Sequence, residues 1–243
     1  MIRDLLYRVC FIAALAAAMS FTPPGNSILI IRFENYVGDK PLKLDSVFYK
    51  NSFGQSFNVG MFKYYVGNFH LKNNKGLEFV SKGYFLINEE DKSTMQINID
   101  TIPEGEYNTI SFTLGVDSVD NCSGAQSGAL DPVNGMFWAW NSGYIFMKIE
   151  GISSASTSTG KRLEFHIGGY KEPNNCIKII HLPLKNFVVD GINTIVIKAD
   201  LNHLFSGSTP VDFSKISSVT DFHNATAIAN NYSSMFSLVD SGN

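Results

Sequence analysis

Apolar residues recur at every second position along most of the chain. Ile28 and Ile30 open the first such run. Met95, Ile97 and Ile99 face one way, against Gln96, Asn98 and Asp100. Ile110, Phe112, Leu114 and Val116 alternate with Thr109, Ser111 and Thr113. Leu163, Phe165 and Ile167 oppose Glu164, His166 and Gly168, and Ile195, Ile197 and Ala199 oppose Val196, Lys198 and Asp200. A period of two puts neighbouring side chains on opposite faces of a strand. Many short runs of this kind, separated by turn residues, predict antiparallel sheet. Pro103-Glu104-Gly105 and Asp190-Gly191 read as hairpin turns. Ser153 to Gly160 reads as a flexible polar loop. Only the tail changes period: Ala225, Ile228, Ala229, Tyr232 and Phe236 fall at roughly helical spacing, so a short helix is expected within 221–236. Long amphipathic helices do not alternate with the strands, which argues against a parallel α/β fold. The expected architecture is all-β, an antiparallel β-sandwich with a short C-terminal helix.

The first twenty residues break this pattern. Arg3 and Arg8 precede an apolar run from Val9 to Met19, too short to span a bilayer, which needs about 20 residues. Ala16-Ala17-Ala18 and Ala18-Met19-Ser20 both offer small-x-small cleavage sites. Residues 1–20 therefore read as a secretory signal peptide. The mature chain is expected to be soluble and exported, to the periplasm or the cell surface, with no spanning segment. Composition agrees with a folded product: 44% of the 243 residues are hydrophobic, enough to offset the entropy of ordering. A net charge of −3 argues against a nucleic-acid binder, which would carry a basic excess.

Export also changes the meaning of the cysteines. Cys10 leaves with the signal peptide, and Cys122 and Cys176 remain as an even pair in an oxidising compartment. A disulfide between them is expected, worth about 4 kcal/mol in the chain-entropy model. The sequence has no nucleophile elbow, dinucleotide fingerprint, P-loop, zincin helix or EF-hand loop. No catalytic residue is singled out, and a binding protein is expected rather than an enzyme.

Residues 128–151 carry more information. Both tryptophans of the chain lie here, Trp138 and Trp140. Two apart on a strand, they face the same way. This arrangement is either a core aromatic cluster, an aromatic ligand platform or part of a redox or metal site. The run Leu130-Asp131 … Met136-Phe137-Trp138-Ala139-Trp140-Asn141-Ser142-Gly143-Tyr144 … Glu150-Gly151 resembles the hallmark of the MbnP-like family. Phe165-His166-Ile167-Gly168-Gly169 is similar to that family's His-hydrophobic-Gly step. Ile228-Ala229-Asn230-Asn231-Tyr232 … Met235-Phe236 is similar to the end of the domain in Bacteroidota-type members. The resemblance covers about residues 26–240.

The resemblance implies an exported, β-rich copper-binding protein. It further implies that a tryptophan, Trp138 or Trp140, is oxidised to kynurenine by a partner di-haem enzyme of the cytochrome c peroxidase type. The kynurenine amine and histidine imidazoles would then bind copper. Of the five histidines, His166 is the leading candidate, because it lies on the polar face of its strand and inside a family-like motif. His70 follows, and His223 stands near the tail helix. His181 and His203 read as ordinary strand and turn residues. The chain departs from the family's pattern in having no Trp-x-His step, and no two histidines are closely spaced. Two other readings stand beside copper. Exposed indoles would suit sugar stacking in a ligand-binding sandwich. Asp117, Asp120 and Asp131, with Asn121, would supply oxygen ligands to calcium.

Overall fold

The computed structural model describes residues 27–138, 143–220 and 224–239. The signal-peptide reading, Trp140 and His223 lie outside the described residues. In chain order the strands are β1 (Ser27–Val37), β2 (Lys40–Pro41), β3 (Tyr49–Lys50), β4 (Ser56–Phe57), β5 (Met61–Lys72), β6 (Glu78–Asn88), β7 (Gln96–Ile102) and β8 (Gly105–Leu114). They continue with β9 (Phe137–Trp138), β10 (Gly143–Ile152), β11 (Arg162–Gly168), β12 (Lys178–Val189), β13 (Ile192–Asp200), β14 (Ser218–Val219) and β15 (Phe236–Leu238). The helices are short: α1 (Ser118–Cys122), α2 (Leu201–Ser206), α3 (Ala225–Ala229) and α4 (Tyr232–Met235).

Two sheets face each other, as the alternation predicts. The smaller runs β15-β13-β1-β2, with β7 also paired to β1. The larger runs β12-β8-β5-β10-β11-β14, with β6 on β5 and β9 on β10. Phe33 of the smaller sheet meets Phe112 of the larger edge-on, with ring centroids 5.8 Å apart. Phe112 in turn meets Phe236 at 5.2 Å. A second cluster joins Phe57, Phe165, Phe205 and Phe213. Each such ring, fully buried, contributes about 1.5–3 kcal/mol.

Several local readings need correction. Pro103-Glu104-Gly105 and Asp190-Gly191 do not close hairpins. The first carries the chain from β7 in the smaller sheet to β8 in the larger, and the second from β12 back to β13. Both are corners of the sandwich, and Gly191 turns there at φ 72°. The central pair β1 and β13 is parallel, from Ile28 opposite Ile192 to Tyr36 opposite Asp200. Ser153 to Gly160 is not loose. Ser153 and Ser156 are fully buried, and their hydroxyls donate to Ser56 O and Arg162 O, each at 2.6 Å. The tail helix is split into α3 and α4 by Asn230-Asn231. Buried Asn231 donates to Leu204 O and Thr209 O and accepts from Thr209 N.

The expected Cys122–Cys176 bridge is not formed, and both thiols are free. Cys122 ends α1 at the surface, its Sγ 3.5 Å from Tyr170 Oη. Cys176 is buried, its Sγ turned to Asn174 O at 3.8 Å. A bridge needs the two Cβ atoms within about 4.5 Å, whereas these side chains occupy different environments, one in solvent and one in the core.

β5 is where the larger sheet forks. Along one side it pairs with β6 from Lys63 to Lys72. Its other side is shared, β10 taking Met61 to Tyr64 and β8 taking Val66 to Lys72. The segment after β8 folds over the outer face near this fork. Tyr65 Oη donates to Ala129 O at 2.9 Å, and Tyr144 Oη donates to Leu130 O at 2.8 Å.

Candidate functional site

His166 lies on the outer face of β11, as its polar-face position predicts. β10 runs beside it, with Lys148 opposite His166 and Glu150 opposite Glu164. Lys63 of β5 lies opposite Lys148. His166 Nε2 is 2.8 Å from Glu150 Oε1, and Lys148 Nζ is 3.3 Å from the same oxygen. Lys148 Nζ also donates to Gly135 O and Lys63 Nζ to Asn134 O, so both lysines hold the covering segment down. Burial lowers the imidazole's affinity for a proton, and this outweighs the opposing hydrogen bond to the Glu150 carboxylate. Burial raises the Glu150 carboxyl, but the imidazole and Lys148 outweigh it and hold its pKa below the ordinary value. His166 is therefore held toward the neutral form, the form in which imidazole binds metal.

Trp138 comes to the same place from β9, where it pairs with Gly143. It is buried, at 4% exposure. Its six-membered ring rests on Gly168. A Cβ at that position would lie 2.7 Å from Trp138 Cζ3 and 2.6 Å from Tyr144 O. Only glycine leaves room for this contact. Gly168 and His166 share a face of β11, about 7 Å apart along the strand. The structure thus brings Trp138 and His166, two of the residues predicted from sequence, into one neighbourhood.

The other predicted residues do not join them. His70 also lies on the outer face, but seven positions along β5 from Lys63, about 20 Å away. Its Nε2 is 3.8 Å from Glu78 Oε2 and makes no hydrogen bond. Among the described residues no group of three or more His, Cys, Asp or Glu is placed to hold a metal ion. Those residues give His166 one carboxylate partner and one adjacent indole. They do not by themselves complete a copper site.

The competing chemistries lose their residues. Asp117 Oδ1 caps α1 through Val119 N and Asp120 N, and its Oδ2 accepts from Tyr84 Oη at 2.7 Å. Asp131 caps the turn that begins at Pro132. Asn121 ties Val116 O to Tyr144 N. Both Asp117 oxygens, one Asp131 oxygen and the amide oxygen of Asn121 thus already accept hydrogen bonds within the fold. Buried Trp138 cannot be half of an exposed sugar platform. The partners Glu150, Lys148 and Lys63 were not singled out from the sequence, because strand register is not written in the alternation of one strand.

A family model described as MbnP matches residues 26–224. Among solved structures the fold matches MbnP from Methylosinus trichosporium. That match has 16% sequence identity and a TM-score of 0.51, covering 78% of this chain and 80% of that one. No curated protein matches.

Proposed function

Because the chain belongs to the MbnP family, we propose that it is an exported copper-binding protein that sequesters the ion or hands it on, and that it is not an enzyme. The observation that carries this reading is the contact of Trp138 with Gly168, one strand step from His166. It places an oxidisable indole beside an imidazole held toward its base form. Imidazole is a good ligand for copper in either oxidation state. In this reading a di-haem enzyme of the cytochrome c peroxidase type converts Trp138 or Trp140 to kynurenine, and His166 supplies an imidazole to the ion. Glu150 and Lys148 orient that imidazole.

The test is copper binding by protein from its native host, compared with His166→Ala, Trp138→Phe, Trp140→Phe and His223→Ala. Loss of copper in His166→Ala and in one tryptophan variant is expected, and it identifies the modified ring. Copper retained in every variant would overturn the assignment. No helix of the described residues is long and apolar enough to cross a membrane.

A further inference from the structure

Among the described residues the exposed phenylalanines are Phe48 and Phe53, with 57% and 50% of their surface open. Phe48 precedes β3, and Phe53 lies at the tip of the β3–β4 hairpin. Phe48 and Lys50 flank the buried Tyr49, so both turn outward. The tip is built to hold Phe53 where it is. Oδ1 of buried Asn51 accepts from Phe53 N and Gln55 N at 3.0 and 2.9 Å, and its Nδ2 donates to Val211 O. Gly54 closes the turn at φ 71°. Ile152, 41% exposed at the end of β10, joins the same end of the sandwich. Its N–H donates to Asn58 Oδ1, and Asn58 N, next to β4, donates to Ile152 O. Exposed apolar side chains grouped in this way mark a contact surface.

Cations surround the group. Lys50 lies on the outer face of the hairpin, Arg162 opposite Ile152, and Lys161 beside Arg162. Lys215 lies on the turn that Asp212 ties to the hairpin tip through Gln55. All four are exposed. Arg162 and Lys215 hold Glu164 and Asp212 only loosely, each at 3.6 Å. Lys43 and Asp45, ahead of the hairpin, cancel each other. Four cations against two carboxylates leave an excess of two positive charges (4 − 2), on a chain whose net charge is −3.

We propose that this end of the sandwich docks on an anionic bilayer surface. Phe48, Phe53 and Ile152 enter the acyl boundary, while Lys50, Lys161, Arg162 and Lys215 stay among the headgroups. Apolar burial and attraction to acidic lipids add together in such binding. Lysine and arginine keep their charge in the wet layer while their stems lie along apolar ground. A fluid surface accepts separate apolar knobs without the matching pockets that a protein partner would have to supply. Trp138 pairs with Gly143 at the other end of β10, about 30 Å from Ile152 along the strand. Docking therefore leaves the Trp138 end clear of the membrane. The proposal does not rest on the copper reading.

The test is co-sedimentation of the mature chain, without copper, with vesicles of mixed phosphatidylglycerol and phosphatidylcholine and with vesicles of phosphatidylcholine alone. Binding to the mixed vesicles is expected, weakened by salt and much weaker on phosphatidylcholine. Phe53→Ser lowers the partition coefficient by about tenfold, the effect of withdrawing one such ring from an apolar phase. Phe53→Leu retains binding. Lys50→Glu weakens binding to the mixed vesicles and leaves that to phosphatidylcholine unchanged. An unchanged far-ultraviolet circular dichroism spectrum shows that these exposed positions leave the fold intact. Wild-type chain left in the supernatant with the acidic vesicles would overturn the proposal and point to a protein as the occupant. So would a Phe48→Ser, Phe53→Ser double variant, or a Lys50→Glu variant, that binds as the wild type does. The His166 reading is untouched by either result.

Discussion

A methyl group at residue 168 would fall 2.7 Å from the Trp138 ring and 2.6 Å from the Tyr144 carbonyl. Gly168→Ala must push one of them aside. It is expected to cost about 1–3 kcal/mol, the usual range for overpacking, and to change the near-ultraviolet circular dichroism of Trp138. An unchanged spectrum would mean that the ring does not sit on Gly168. The two thiols give a second residue-scale prediction. Burial pushes the Cys176 thiol up to about 12, which makes it a poor nucleophile. Iodoacetamide should label Cys122 in the native mature chain, and Cys176 only after denaturation. A chain in which neither is labelled without a reductant would restore the disulfide. Asp212 gives a pH dependence. Hydrogen bonds from Ser214 and Gln55 lower its pKa to about 2. A carboxyl depressed in the fold stabilises it above the unfolded value of about 3.9, and that contribution is lost as pH falls toward 2. Asp212→Asn should therefore lower the urea midpoint at pH 6 and match the wild type near pH 2.

At the scale of elements, alternation revealed which face of each strand is buried. Phe165 and Ile167 point into the core and His166 points out, as Leu163 to Gly168 predicts. Alternation carries no direction and no register. It could not show that β1 and β13 are parallel, nor that Glu150 is level with Glu164 and within reach of His166. Pro103-Glu104 and Asp190-Gly191 were legible as turns but not as corners, because a turn's residues fix its local dihedrals and not the sheet it feeds. The tail was legible as helical, but Asn231 splits it by binding Leu204 O and Thr209 O. Asn231→Leu leaves those buried carbonyls without a donor, at about 1–3 kcal/mol each. A fall of at least about 2 kcal/mol in unfolding free energy is expected, and a change below half that would show that α3 and α4 need no polar tie.

At the scale of the whole molecule, the family was legible because the Met-Phe-Trp-Ala-Trp segment combines rare residues in a fixed spacing, which no backbone period imposes. The matched span of 26–224 bears out that reading. The candidate site was only half legible. His166 and Trp138 come together across β9, β10 and β11, whereas His70 lies on another branch of the forked sheet. Of the readings open for the indoles, an exposed platform is ruled out for Trp138, a buried ring packed on a glycine. The central claim is that this ring and this histidine serve copper. The measurement that tests it most directly is intact mass and peptide mapping of the 128–151 segment on protein from the native host, with copper assayed on the same sample. The account predicts a tryptophan converted to kynurenine, with one carbon lost and one oxygen gained, in a protein that carries copper and loses it on His166→Ala. Two unmodified tryptophans in a protein that carries no copper would contradict it.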